Sequence, residues 1–354
     1  MAPTTRKKVD KPVSSVRRRV VNPDELEPVG NYFASGASRD LEFVSTGCEV
    51  LNCVLGGGYV LGRITNIVGD KSTGKTLQAI EACANFIKEY PDGVIRYAEA
   101  EAAFDQPYAA ALGMPVDKTE FVDQIQTVED FYEDLESTIA KLSGRPCIYI
   151  LDSLDSLSDR AEQKRDIDEG SYNMQKAKKL GEMFRRTVQN ISGARVLLII
   201  ISQIRDKIGV TFGEKHTRSG GKALDFYASQ VLWLAEVEKT TKVIDKVERV
   251  IGIRVKATCK KNKVGLPFRK CEYPLLFGYG IDDLTANIEW LKDVGRLEDL
   301  KELGFSAEGY KVRVNNLRNK GGPDVVELRT KLNACVRKNW EVIETKFLPT
   351  SRKY

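Results

Sequence analysis

The chain has 354 residues, 42% of them hydrophobic, and a formal net charge of +5 at neutral pH. This length allows one large hydrophobic core with a small appended domain, or two medium domains. No apolar run approaches the roughly 20 residues that a membrane-spanning helix needs. The first residues also lack the apolar stretch of a secretory signal, so we expect a cytoplasmic protein with no membrane partner.

The first 40 residues are predicted to form a basic arm and a linker. Residues 1–20 contain seven Lys and Arg against one Asp, with prolines and serines among them. Such a segment is typical of an arm that contacts nucleic acid, but it fits a solvated tail equally well.

A phosphate-binding motif follows the first predicted buried strand. The apolar run Arg63–Val68 is typical of such a strand, and Leu77–Tyr90 has the spacing of a helix. Between them lies the pattern G-x-x-x-x-G-K-[ST], in which a lysine reaches the β- and γ-phosphates of ATP and a hydroxyl binds Mg²⁺. A glycine-rich turn with a chance lysine is disfavoured because strand, motif and helix agree. The motif residues are Gly69, Asp70, Lys71, Ser72, Thr73, Gly74, Lys75 and Thr76.

The next predicted strand, Val94–Ala98, is followed by two glutamates. A carboxylate beside the P-loop strand is where an ATPase needs a group to orient the attacking water, and either Glu99 or Glu101 could serve. The alternative is two exposed loop glutamates. Downstream, Tyr108 could stack on adenine or simply pack as an ordinary tyrosine.

Two later apolar strands also end in polar side chains. Cys147–Ser153 contains Asp152, and this pattern is typical of a Walker B carboxylate that holds Mg²⁺. Ala194–Ile201 leads to Gln203, a position from which a side chain can sense the γ-phosphate.

The alternation of strands and helices predicts an α/β fold with a mostly parallel central sheet. We expect surface loops at Ser156–Ser171 and Lys207–Gly221, and between them a basic helix, Tyr172–Ile191, that carries Lys178 and Arg185. Leu224–Leu234 is predicted as a short helix running into a strand. Further strands are expected at Val250–Thr258 and Lys270–Phe277, antiparallel at one sheet edge. The predicted division is an arm over 1–40, an ATPase core over 41–281 and a small, mainly helical domain over 282–354.

From about Phe43 to Ile281 the sequence resembles the bacterial RecA recombinases. The resemblance rests on the P-loop, on Glu99-Ala-Glu101 with Asp105 and Tyr108, and on Leu151-Asp152-Ser153. Its most specific part is the run from Gln203 to Gly213, Q-I-R-D-K-I-G-V-T-F-G. The later segments Gly220–Ser229 and Lys261-Asn-Lys263 extend it.

The resemblance implies a role for each matching residue of the nucleotide site. Glu101 would be the general base, Asp105 and Tyr108 would hold adenine, and Gln203 would couple the γ-phosphate to the loop that follows. Lys261 and Lys263 would reach the ATP of the neighbouring subunit, with Phe226 packing at that interface.

The resemblance also implies a DNA-binding surface. The two loops, about 158–171 and 205–219, would line the axis of a filament and bind single-stranded DNA. Arg205 would contact phosphate, beside Lys207, and Ile208 would wedge between bases. Lys178 and Arg185 are expected to add positive charge to this surface. Contacts to phosphate give the sequence-independent binding that a search for homology requires.

The sequence departs from the family pattern in several places. Ala102 stands where a histidine commonly follows the glutamate, and Asp225 stands where many relatives carry lysine. The first 40 residues lack the usual amphipathic helix, and the C-terminus lacks the usual acidic tail. These departures suggest a divergent member, with a phage gene as one possible origin.

The sequence therefore predicts a DNA-dependent ATPase that forms helical filaments on single-stranded DNA, pairs it with homologous duplex DNA and exchanges strands. A loader or single-strand-binding protein is a possible further partner. Three alternatives remain: a ring-forming DNA motor on the same core, an ATP-binding accessory paralogue, and a small-molecule P-loop kinase. The Lys261/Lys263 pair disfavours the first, the intact catalytic set the second, and the basic arm the third.

Overall fold

A computed structural model describes residues 41–164, 173–206, 216–218, 221–349 and 351, with backbone only at a few segment ends. The predicted arm 1–40 lies outside the described residues, as do Lys207, Ile208 and parts of both predicted loops. The described residues from Glu42 onward form one compact unit. None of their helices is long and apolar enough to cross a lipid bilayer.

Strands and helices are interspersed along the first part of the described chain, four strands then follow without a helix between them, and four helices come last. The strands are β1 Phe43–Val44, β2 Tyr59–Val60, β3 Ile64–Gly69, β4 Val94–Glu99, β5 Thr119–Val122, β6 Cys147–Asp152, β7 Val196–Asp206, β8 His216–Arg218, β9 Gln230–Ile244, β10 Val247–Asn262, β11 Lys270–Leu276 and β12 Gly280–Ile281. The helices are α1 Glu49–Leu55, α2 Lys75–Glu89, α3 Gln106–Ala111, α4 Val128–Lys141, α5 Arg160–Gln163, α6 Asn173–Gly193, α7 Gly221–Tyr227, α8 Asp283–Asp293, α9 Leu297–Glu302, α10 Tyr310–Lys320 and α11 Pro323–Lys346.

One large sheet organises the molecule, in the order β12-β11-β10-β9-β3-β7-β6-β4-β5, with β8 paired to β7. From β9 to β5 the neighbours are parallel, whereas β9 to β12 are antiparallel to one another. The carboxyl ends of the parallel strands meet at one edge of the sheet, where ligands of such folds bind. The predicted α/β class with a mostly parallel sheet is confirmed.

The two faces of the sheet bury different helices. Alternate side chains of the parallel strands, such as Ile150 and Ile199, pack with α1 and α2 in one apolar cluster. Their neighbours, such as Leu151 and Ile200, pack with α4 and α6 in the other. Because both faces are covered, β3 and β6 are buried along their whole length, as expected for parallel strands.

The predicted helical character of residues after 281 is confirmed by α8 to α11. Their apolar side chains, including Leu284, Leu332 and Val336, belong to the same cluster as α2 and the sheet. Arg337 Nε donates to Glu49 Oε1 at 2.8 Å, which ties α11 to α1. A domain boundary at residue 282 stays a prediction.

Five structural predictions need correction. The strand that leads to Glu99 was expected beside the P-loop strand, but β7 and β6 lie between β3 and β4. Ser156–Ser171 is not only loop, because a 3-10 helix spans Leu154–Ser156 and α5 follows it. The segment Lys207–Gly221 contains β8. The helix expected from Leu224 begins at Gly221, and the strand after it continues to Ile244. The strand expected from Val250 begins at Val247, so a long β9–β10 hairpin was missed.

Candidate active site

The P-loop joins β3 to α2 and curls around the N-terminus of that helix. Gly74 has φ 84°, in the left-handed region, and a Cβ there would lie 2.5 Å from Leu275 Cδ1. Glycine is therefore needed both for the backbone conformation and for the space. Thr73 Oγ1 donates to the Asp70 carbonyl at 2.9 Å and braces the turn. Backbone N–H groups and the helix N-terminus together suit a phosphate.

Lys75 lies half-buried within this loop. Its Nζ donates to the Asp70 carbonyl at 2.7 Å. Burial lowers the pKa of Lys75, while Asp152 and Glu101 oppose that shift by favouring the charged form. The ammonium group is thus held inside the loop that would receive the phosphates.

Asp152, at the end of β6, lies against the hydroxyl of Thr76. Thr76 Oγ1 donates to Asp152 Oδ2 at 2.8 Å, and the hydroxyl of Tyr97 donates to the same oxygen at 2.9 Å. Burial raises the pKa of Asp152 to about 6, although both hydrogen bonds act against this shift. A carboxylate and a hydroxyl this close are hard oxygen ligands that fit Mg²⁺.

The two candidate glutamates have different surroundings. Glu101 Oε1 accepts hydrogen bonds from Ser153 Oγ and, at 3.3 Å, from Gln203 Nε2. Glu99 Oε1 instead accepts from the backbone N–H groups of Glu101 and Ala103, at 3.0 and 3.2 Å. Glu99 therefore braces the turn, and only Glu101 of the two lines the cleft described next.

A cleft of about 950 Å³ brings most of the predicted nucleotide residues together. It is lined by the P-loop, by residues that follow β4, by Asp152 and Gln203 near the ends of β6 and β7, and by parts of β9, β10 and β11. Asp105 caps α3 by accepting from the Tyr108 backbone N–H at 2.9 Å, and both residues line the cleft. Ile253 and Leu275 form an apolar part of the cleft wall. Apolar surface beside a few polar groups is the usual lining of a small-molecule site.

Gln203 connects this cleft to the chain that continues into the predicted DNA loop. It is the register partner of Gly69 across β3 and β7. Its backbone N–H donates to Asp155 Oδ2 at 2.7 Å, while its side chain donates to Glu101.

Lys261 and Lys263 lie outside the lining of this cleft, at the end of β10. Lys261 Nζ donates to the carbonyls of Asp225 and, at 2.9 Å, of Phe226. Lys263 Nζ donates to the Phe226 carbonyl at 3.2 Å, and the Phe226 side chain is 69% exposed. Their predicted contact with a neighbouring subunit's ATP stays a prediction.

The predicted DNA-binding residues are only partly described. Lys178 and Arg185 are exposed on α6, where they border a shallow surface depression with Glu182 and Arg186. Arg205 lies in β7, but its side chain is outside the described residues. The DNA-binding surface therefore stays a prediction.

Sequence reasoning assigned no role to several side chains that support the cleft residues. Tyr97 and Ser153 hold Asp152 and Glu101, and Asp155 holds the backbone of Gln203. The hydroxyl of a tyrosine in a buried strand needs a hydrogen-bond partner. This requirement could have indicated from the sequence that Tyr97 contacts a polar group. Glu236 and Lys239 also line the cleft, and no motif marks them.

Comparisons of the sequence with known proteins find clear relatives. The family model described as RecA N-terminal domain matches residues 31–282, a range that includes every residue lining the cleft. Protein RecA of Nostoc sp. is 35% identical over 280 residues, 77% of this chain and 76% of that protein. Protein RecA of Bacteroides thetaiotaomicron is 35% identical over 298 residues, 82% of this chain and 86% of that protein.

Proposed function

Because the chain belongs to the RecA family, we propose that it is an ATP-dependent DNA recombinase. It forms filaments on single-stranded DNA, pairs that DNA with a homologous duplex and exchanges strands in recombination and repair. The observation that carries the proposal is the convergence of Lys75, Asp152, Glu101 and Gln203 on one cleft. The proposal includes a cytoplasmic location and the three-part division at residues 40 and 281.

In the proposed reaction, ATP and water give ADP and phosphate. The P-loop N–H groups and Lys75 bind the phosphates, and Thr76 and Asp152 would hold Mg²⁺, which when bound neutralises phosphate charge. Glu101 orients the attacking water and accepts its proton. Ser153 and Gln203 fix the Glu101 carboxylate, so the base is positioned before the nucleotide arrives.

Gln203 is the proposed link between nucleotide and DNA. The Gln203 side chain donates a hydrogen bond to Glu101, the proposed general base, and the Gln203 backbone N–H donates one to Asp155. A γ-phosphate that attracts the Gln203 amide would shift the end of β7, from which the chain continues through Arg205. A ligand can favour one conformation only through such a differential contact.

The proposed assembly completes the site between subunits. Lys261 and Lys263 are presented at the end of β10 beside the exposed Phe226, a surface of the kind that a second copy would cover. In the filament these lysines would contact the ATP of the next subunit, and Arg205, Lys207, Ile208, Lys178 and Arg185 would bind DNA.

The test is ATP hydrolysis with and without long single-stranded DNA, together with negative-stain images of the same samples. We expect DNA to stimulate hydrolysis and extended filaments to form. Stimulation with closed rings would instead favour a ring motor. If hydrolysis is unstimulated and nothing assembles, the accessory paralogue becomes the better account.

A further inference from the structure

The β9–β10 hairpin extends beyond the rest of the sheet. β9 pairs with β3 only from Gln230 to Leu234, and from Ala235 onward its described partner is β10 alone. The residues nearest its base border the nucleotide cleft, to which Glu236 and Lys239 contribute from β9, and Val250 and Ile253 from β10.

Two β-bulges explain how these four side chains reach the same cleft. On β9, Glu236 pairs with Val255 and Glu238 with Arg254, so Val237 is the extra residue. Side chains three positions apart on a regular strand point to opposite faces. The bulge removes this alternation and brings Glu236 and Lys239 to one side.

The same arrangement recurs on the partner strand. Val250 pairs with Thr241 and Gly252 with Thr240, so Ile251 is the extra residue on β10. Val250 and Ile253, also three apart, therefore both face the cleft. Ile253 is directly opposite Lys239 in the register, which places the lysine on the α2 side of the ribbon.

Lys239 has the charge and the freedom to bind an anion there. It is exposed, and within the part of the chain that the structure describes it forms no ion pair. It shares the cleft with Lys71 and Lys75 of the P-loop. In the sheet, β9 lies on one side of β3, whereas the strands that lead to Glu101, Asp152 and Gln203 lie on the other.

We propose that Lys239 is a further nucleotide-binding residue, which contacts the phosphate groups from the side of the P-loop opposite Glu101. This inference rests on the proposed ATP site. Lys239 is a binding residue and takes no part in proton transfer. The hairpin bulges serve to direct it into the cleft.

The test compares Lys239→Ala and Lys239→Arg with Lys242→Ala. Lys242 is the next lysine on β9, exposed and outside the cleft lining, and no irregularity of β9 separates it from Lys239. Calorimetry would give dissociation constants for ATP, ADP and adenosine in the full-length protein. Loss of one hydrogen bond between charged groups corresponds to about a tenfold change.

We expect Lys239→Ala to weaken ATP and ADP about tenfold and to leave adenosine unchanged. Lys239→Arg should retain most of the affinity, and Lys242→Ala should match the wild type. Equal affinities in Lys239→Ala and Lys242→Ala, or an equal loss for adenosine and ADP, would overturn the inference. A wild-type protein that binds neither ATP nor ADP would contradict the proposed ATP site itself. Lys75→Ala is the reference variant for loss of that site.

Discussion

The parallel strands and the β9–β10 hairpin contrast in how they place side chains at the cleft. β3 and β6 are buried from end to end; the P-loop continues directly from β3, and Asp152 is the last residue of β6. The hairpin is exposed over its distal part, from Ala235 to Val250 except at Thr240, with Val243 63% and Ile244 57% accessible. In this exposed part, the direction of each side chain depends on the β-bulges and not on burial. The parallel block therefore holds the proposed catalytic groups at or after the ends of buried strands, while the hairpin contributes side chains to the cleft from an exposed ribbon.

The largest expected effect lies in the parallel block. Glu101→Gln should lower ATP turnover about 10²–10⁴-fold, because an amide cannot accept the proton of the attacking water. ATP binding, measured separately, should persist. Glu99→Gln is the matched control, since its amide oxygen can still accept from the Glu101 and Ala103 N–H groups. Normal turnover in Glu101→Gln with loss in Glu99→Gln would reverse the two roles.

The two regions should also differ in what they contribute to stability. Ile199 is fully buried in β7, so Ile199→Ala should lower the free energy of unfolding by about 2–5 kcal/mol. Val243→Ala on the hairpin should change it by about 0.5 kcal/mol or less. Urea denaturation measures both. Similar losses would show that the hairpin is packed as tightly as the parallel block.

A third prediction concerns Glu81 of α2, which contacts the antiparallel part of the sheet at β12, outside the hairpin. Its Oε1 accepts from the backbone N–H of Ile281 in β12 at 3.0 Å. Burial raises the pKa of Glu81 from 4.5 to about 7. The folded state therefore holds this proton more tightly than the unfolded state, and its contribution to stability is complete below pH 4.5 and lost as pH rises through 7.

Glu81→Gln should accordingly reduce the fall in unfolding free energy between pH 4.5 and about pH 7. Asp283, whose pKa is raised by burial to about 6, contributes with the same sign and should leave a residual slope. Glu308→Gln, at an exposed site, is the control. An unchanged pH profile in Glu81→Gln would show that the Glu81 carboxyl does not cause the pH dependence of stability.

The smallest expected effect is at the tip of the hairpin. Asp245 and Lys246 both have positive φ, 51° and 64°, as in a type I′ turn that favours Asn-Gly. Replacing the pair by Asn-Gly should raise the unfolding free energy by about 0.5 kcal/mol, because relief of left-handed strain exceeds the entropy that glycine loses. A decrease would indicate that Lys246 contributes a contact.

The same contrast explains what the sequence could predict. The parallel strands β3 and β6 are largely apolar, and a motif residue lies at the C-terminal end of each. The pattern alone therefore predicted β3, β6 and Asp152. The hairpin offers no such signal: Glu236–Lys246 is mostly polar, and its turn lacks glycine or asparagine. Bulges depend on pairing between distant residues, so the side to which Lys239 points could not be read from alternation.

Within the cleft the sequence predicted the positions of the motif residues better than those of the side chains that support them. Lys75, Thr76 and Asp152 belong to spaced motifs and lie where expected. The choice of Glu101 over Glu99 as general base came from family resemblance, and it stays a prediction that their different hydrogen bonds support. Tyr97 and Asp155 act through contacts between neighbouring strands, which spacing along one strand does not reveal.

The most direct test of the account is a strand-exchange assay between circular single-stranded DNA and a homologous linear duplex. The account predicts joint molecules that need both ATP and homology, and that are lost in Lys75→Ala. Strand separation that depends on ATP but not on homology, or no joint molecules from a protein that hydrolyses ATP on DNA, would contradict the proposed recombinase.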